Sequence, residues 1–137
     1  MNSGVKFNFA SVMIALVLLS GCVTPTPESP EVACGDRAQA WLDALMAFDI
    51  KGIYSFTSPA YQSAHTARNY SRNYAGRNMW KTAELGEIRC DGAEEFGVCE
   101  VDLVITYRAP MMKEDMSRVL TETWVQIDGV WYTQPRL

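Results

Sequence analysis

The sequence predicts an α+β domain, with helices first and an antiparallel sheet after them. Three observations carry this. Apolar residues between positions 38 and 46 recur at helical spacing. Those between 99 and 107 alternate with period two. Asp128-Gly129 then separates two further apolar runs in the manner of a two-residue hairpin turn.

Each element follows from its residues. Ala38, Trp41, Leu42, Leu45 and Met46 place an apolar stripe on the first helix, with Asp36 as its expected N-cap. Gly52 fits a stop or hinge, after which Ile53, Tyr54 and Phe56 begin a second helix. Ser58-Pro59 reads as an N-cap followed by proline at the first helical position, opening a turn through Tyr61. A third helical stretch spans 66–78, with Gly76 weakening its end. A strand over 80–90 leads into the polar, glycine-bearing loop 91–97. In the strand over 98–108, Cys99, Val101, Leu103, Ile105 and Tyr107 alternate with Glu100, Asp102 and Thr106. One apolar face at period two is the mark of a half-buried antiparallel strand. Pro110 ends it. The next strand, 117–128, sets Val119, Thr121, Thr123, Val125 and Ile127 on one face, and 130–133 closes the meander before Pro135.

Composition narrows the class. The chain has 137 residues, 48% of them hydrophobic and 11% aromatic, too apolar for disorder and enough for one domain. Its net charge of −4 argues against a basic nucleic-acid-binding protein.

The N-terminus reads as a targeting segment. One positive charge, Lys6, precedes an apolar run from Phe9 to Leu19 broken only by Ser11. Such a run is too short to span a bilayer and has the length of a signal-peptide apolar region. Leu19-Ser20-Gly21-Cys22 resembles the bacterial lipoprotein box. That resemblance implies cleavage after residue 21 and lipidation of Cys22, whose acyl chains would anchor the protein stably in a membrane. Val23, in the place where Asp serves as an inner-membrane retention signal, implies the outer membrane, facing the periplasm. The expected divisions are a signal peptide over 1–21, a lipid-anchored Pro-rich tether over 22–33 and a domain over 34–137. Loss of residues 1–21 leaves 11 basic and 16 acidic residues, a net charge of −5.

The domain resembles the NTF2-like superfamily, in which helices close a curved antiparallel sheet into a cone. The resemblance rests on Ala40-Trp41-Leu42-Asp43-Ala44-Leu45 leading to Asp49, on Tyr54-Ser55-Phe56 and Ser58-Pro59-Ala60-Tyr61, and on Glu122-Thr123-Trp124 with Asp128-Gly129-Val130-Trp131-Tyr132. It covers nearly all of 34–137 and extends to an uncharacterised branch of envelope lipoproteins, which supplies no activity to inherit.

Cysteine placement is informative in an oxidising compartment. If the strands ending at Cys90 and starting at Cys99 pair directly, the two Cβ atoms come within disulfide reach and Ile88 faces Val101. Cys34 is left as a free thiol or an intermolecular partner. One histidine and scattered cysteines do not supply the ligand spacing of a zinc site, and no cofactor is expected.

Three side chains are candidates for acid–base chemistry in an NTF2-like cone: His65, Glu122 and Asp49. Histidine is the side chain whose ordinary range lies near neutrality, and His65 lies between helical stretches, facing either pocket or solvent. Glu122 is in strand phase with Trp124, which would make it a perturbed base or a rim residue paired with an arginine. Asp49 matches the acidic residue that ends a family helix, and equally a solvated turn. The most distinctive local pattern is Arg68-Asn69-Tyr70 followed by Arg72-Asn73-Tyr74. Helical spacing makes Arg68 and Arg72 one edge, suited to an acidic lipid, polysaccharide or protein, and the tyrosines another. Tyr54, Tyr61, Trp80, Trp124, Trp131 and Tyr132 either line a cone mouth that takes a small apolar ligand or form the core.

The expected function is a lipid-anchored, periplasm-facing, non-enzymatic interaction or ligand-binding module. Its expected partners are the membrane, an envelope protein or polysaccharide, or a small apolar molecule, and not nucleic acid. The alternative is a small-molecule isomerase or cyclase using the cone.

Overall fold

A computed structural model describes residues 28–92 and 97–135. The expected signal peptide over 1–21, Cys22 and most of the expected tether over 22–33 lie outside the described residues. The first helix, α1 (Pro30–Met46), begins with Ser29 as N-cap, Pro30 at its first position and Glu31 in its first turn. The expected cap, Asp36, instead sits inside α1. The last residues of the expected tether are therefore helical, because Ser29-Pro30 repeats the start signal recognised at Ser58-Pro59. Cys34, Ala38, Trp41, Leu42 and Leu45 form the buried stripe of α1. Removing a Leu side chain of this kind from water contributes about 1.5–3 kcal/mol.

Short helices follow: α2 (Ile50–Ser55), α3 (Pro59–Ala64) and α4 (Ala67–Ser71), then a 3-10 segment (Arg72–Met79). Asp49 caps α2 by accepting from Gly52 N at 2.9 Å. Gly52 is thus inside α2 rather than a stop, and a Cβ there would collide with the Asp49 carboxylate. The predicted helix over 66–78 is split, since Tyr74 leaves helical geometry at φ −119° and ψ 28°.

The sheet runs β1 (Trp80–Asp91), β2 (Val98–Tyr107), β3 (Met116–Ile127) and β4 (Val130–Gln134), paired in that order and all antiparallel. Register shifts between Trp80 and Thr82 and between Leu85 and Ile88 bend β1. Cys90 stands opposite Cys99 and Ile88 opposite Val101, and the two cysteines form a disulfide. Asp128 (φ 50°) and Gly129 (φ 77°) make the predicted tight turn, which requires left-handed backbone at both positions.

The helices cover one face of the sheet. From β2 that face receives Cys99, Val101, Leu103 and Ile105, as their alternation predicts. From β3 it receives Glu122 and Trp124, with Leu120 packed against them. The expected apolar set of β3, Val119 to Ile127, lies on the opposite face, where Val119 is 56% exposed. β3 carries apolar residues at both parities, and pairing with β2 decides which side is buried. A bridge between Thr57 and Thr133, with Thr133 N donating to Phe56 O, ties the end of α2 to β4. Among the described residues, no helix is long and apolar enough to cross a membrane.

Candidate functional site

Four side chains from four elements meet in the interior. Trp41 on α1, Tyr70 on α4, Tyr74 on the 3-10 segment and Glu122 on β3 are all buried. Trp41 Nε1 donates to Tyr70 Oη at 3.0 Å, and Tyr74 Oη donates to Glu122 Oε2 at 3.2 Å. The Tyr70 and Tyr74 rings meet edge to face with centroids 5.7 Å apart, and Trp41 meets Tyr74 at 5.4 Å and Trp124 at 6.1 Å. The spacing of four between the tyrosines puts both on the inward side, as the repeat predicts, although the helix changes type between them.

Electrostatics follow from this packing. Burial pushes the Tyr70 phenol up to about 12, against smaller opposing effects from hydrogen bonding to Tyr74, Trp41 and Thr133. Tyr74 is pushed further up, first by burial and then by the charges of Tyr70 and Glu122. Both phenols stay neutral at any physiological pH and serve as fixed hydrogen-bond groups.

The chain of polar groups ends at a small cleft lined by Asn73, Tyr74, Leu120 and Glu122, with a volume of about 40 Å³. Pockets for small organic ligands run to roughly 300–1,000 Å³. This cleft has room for a few waters. A wider depression of about 380 Å³ lies on the outer face of the sheet, lined by Arg89, Asp91, Val98, Glu100 and Thr123. There Arg89 holds Asp102 through two 3.0 Å bonds and reaches Glu87 at 3.0 Å and Glu100 at 3.4 Å. Hydrogen bonds from Arg89 and Thr121 hold the Asp102 carboxyl below its ordinary range.

The remaining candidates are dispersed. His65 ends α3, and its ring stacks on Tyr61 with centroids 4.3 Å apart. Tyr54 Oη donates to the carbonyls of Gln62 and His65, so its hydroxyl fastens the α3 turn. Burial and then the nearby Tyr54 raise the Tyr61 phenol. Asp49 is exposed and acts as the α2 cap rather than ending the preceding helix. Trp124 is fully buried and Tyr132 partly so, with Phe56 packed edge-on against Trp124 at 6.4 Å. Trp124 belongs to the core and not to a cone mouth. Arg68 and Arg72 are exposed and form no ion pair among the described residues. Arg77 stacks over Phe48 at 4.7 Å. Cys34 is buried and unpaired, and burial together with Glu31 pushes its thiol up to about 12. No group of three or more metal-ligating side chains occurs among the described residues.

Only Glu122, of the three acid–base candidates, reaches the interior. The Trp41, Tyr70 and Tyr74 partners were not legible as a unit, because 48 residues separate Tyr74 from Glu122. The in-phase Glu122 and Trp124 were the one local sign that a carboxylate enters the core.

Fold and site together define an α+β protein with a helical layer over a four-stranded antiparallel sheet, a filled interior and, among the described residues, one buried carboxylate, Glu122. No family model and no curated protein matches the chain. Among solved structures, it is similar to the solution structure of a SEC-C motif containing protein from Rhodopseudomonas palustris. The TM-score is 0.47 and the identity 14%, over 80% of this chain and 91% of that one.

Proposed function

We propose that the protein is a lipid-anchored component of the bacterial envelope, held by Cys22 and facing the periplasm, with a non-enzymatic NTF2-like interaction domain. The anchor rests on the apolar run and Leu19-Ser20-Gly21-Cys22. The NTF2-like reading is supported by helices packed on a bent antiparallel sheet and by Trp124 and Trp131, core residues on the two strands of the closing hairpin.

One observation carries the non-enzymatic choice. Trp41, Tyr70, Tyr74 and Trp124 fill the space between helices and sheet, leaving about 40 Å³ beside Glu122. A cyclase or isomerase must enclose its substrate next to the acid or base. His65 stacks on Tyr61, and Asp49 is spent on a cap. An interaction module needs only surface, which the exposed Arg68 and Arg72 supply.

Three experiments test this. Cys22→Ala should move the protein from the membrane to the soluble fraction, and unchanged fractionation would contradict the anchor. Pull-down of the lipidated protein from envelopes should recover a partner that Arg68→Glu with Arg72→Glu weakens. A thermal shift with a small apolar ligand, abolished by Glu122→Gln, would favour the enzyme instead.

A further inference from the structure

The end of the sheet opposite the disulfide carries an apolar, basic tip. Arg108 N donates to Met79 O there, bringing the start of β1 beside the loop between β2 and β3. Met111 is wholly exposed, with a left-handed φ of 71°, and Met112, Met116 and Met79 are 47%, 41% and 39% exposed. Four large apolar side chains thus project at one end. The charges around them are arranged, too. Lys81 and Arg108 share Asp115 at 2.7 Å each. Lys113 and Arg118 are exposed and have no ion pair among the described residues.

The other end is acidic. A Cβ on Gly35 would meet Ile88, so the start of α1 lies at the disulfide end of the sheet. Asp91, Glu100 and Asp128 belong to that end, with Glu31 on the first turn of α1. The chain enters the fold at its acidic end and presents the methionine tip at the other.

We infer that this tip docks on an anionic lipid surface. Its shape decides between occupants. A protein groove-binder offers a concavity, whereas Met111 stands fully out of the surface. Projecting apolar side chains flanked by four cations, Lys81, Arg108, Lys113 and Arg118, against two carboxylates, Glu114 and Asp115, match a bilayer interface, where thioethers enter the acyl boundary and ammonium or guanidinium groups meet phosphates. Unbranched methionine adapts to a fluid surface without a fixed complementary shape. The acidic end is repelled by the same surface, which orients the domain tip-first.

The test uses the full chain in a Cys22→Ser background, so that it does not depend on lipidation. A polarity-sensitive fluorophore is placed on Met111→Cys, with Val130→Cys at the opposite end as reference. Cys34 is buried and the other two cysteines are paired, so one site labels. On phosphatidylglycerol vesicles, the probe at 111 should brighten and shift to the blue. On phosphatidylcholine vesicles and at position 130 it should not. Lys113→Glu with Arg118→Glu should weaken the response at least about 25-fold, at roughly fivefold for each charge. The probe reads the tip whether or not the N-terminal apolar run also enters the bilayer. An unchanged probe on anionic vesicles, an equal response on both lipids, or a tip that binds only a protein partner would each overturn the inference.

Discussion

Trp41 Nε1 donates to Tyr70 Oη at 3.0 Å where neither side chain reaches solvent. The bond joins α1 to α4 across 29 residues. Tyr70→Phe should therefore destabilise the domain by about 1–3 kcal/mol, because it leaves a buried indole N–H without an acceptor. Chemical unfolding with a common slope measures this. A loss well under 0.5 kcal/mol would show that the pair contributes nothing beyond packing.

Alkaline pH should unfold the protein through the same tyrosines. An unfolded tyrosine releases its proton near pH 10, while the folded Tyr70 holds it to about 12 and Tyr74 is raised as well. Their contribution is fully present below pH 10 and is lost as pH rises through the folded values. Each group should remove roughly 1.4 kcal/mol per pH unit across that window. Urea midpoints between pH 9 and 11.5 should fall, and Tyr70→Phe should flatten the slope. A flat profile in the parent protein would refute the assignment.

Reduction of the Cys90–Cys99 bridge should lower stability by about 2–3 kcal/mol, since it closes a short loop. Thermal melts with and without reductant measure it. Thiol labelling of the folded, oxidised protein should find Cys34 unreactive until denaturant is added, because it is buried and its thiolate is disfavoured. Rapid labelling of three thiols besides Cys22, without reductant, would sink both statements.

Asp49→Ala should cost about 1 kcal/mol by uncapping α2, with Asp49→Asn close to neutral. Arg68→Ala and Arg72→Ala should each change stability by less than about 0.5 kcal/mol. Melting curves of the four variants separate structural from surface roles. A large loss at either arginine would remove it from the set of free binding residues.

Much of the fold was legible because it rests on local chemistry. Ser58-Pro59 starts α3, Asp128-Gly129 turns the last hairpin, and the alternation of Cys99 to Ile105 selects the buried face of β2. The pairing of Cys90 with Cys99 followed from the same alternation, since one register satisfies both thiols and Ile88 against Val101. The start of α1 was misplaced because proline-rich sequence reads as tether until Ser29 is recognised as a cap.

What remained was decided by contacts distant in sequence. β3 has apolar residues at both parities, so no local rule chooses between Val119 and Leu120 as its buried set. Pairing of Val101 with Glu122 and of Cys99 with Trp124 makes the choice and carries a carboxylate inward with the tryptophan. Tyr74 then meets Glu122 because α1 positions the tyrosine layer over that strand. Sequence alone determined the order of helices and strands, the closing turn and the disulfide register, because turn geometry and alternation act within a few residues. Only the tertiary structure decided that the interior is filled rather than hollow, because close packing is a property of all the layers together.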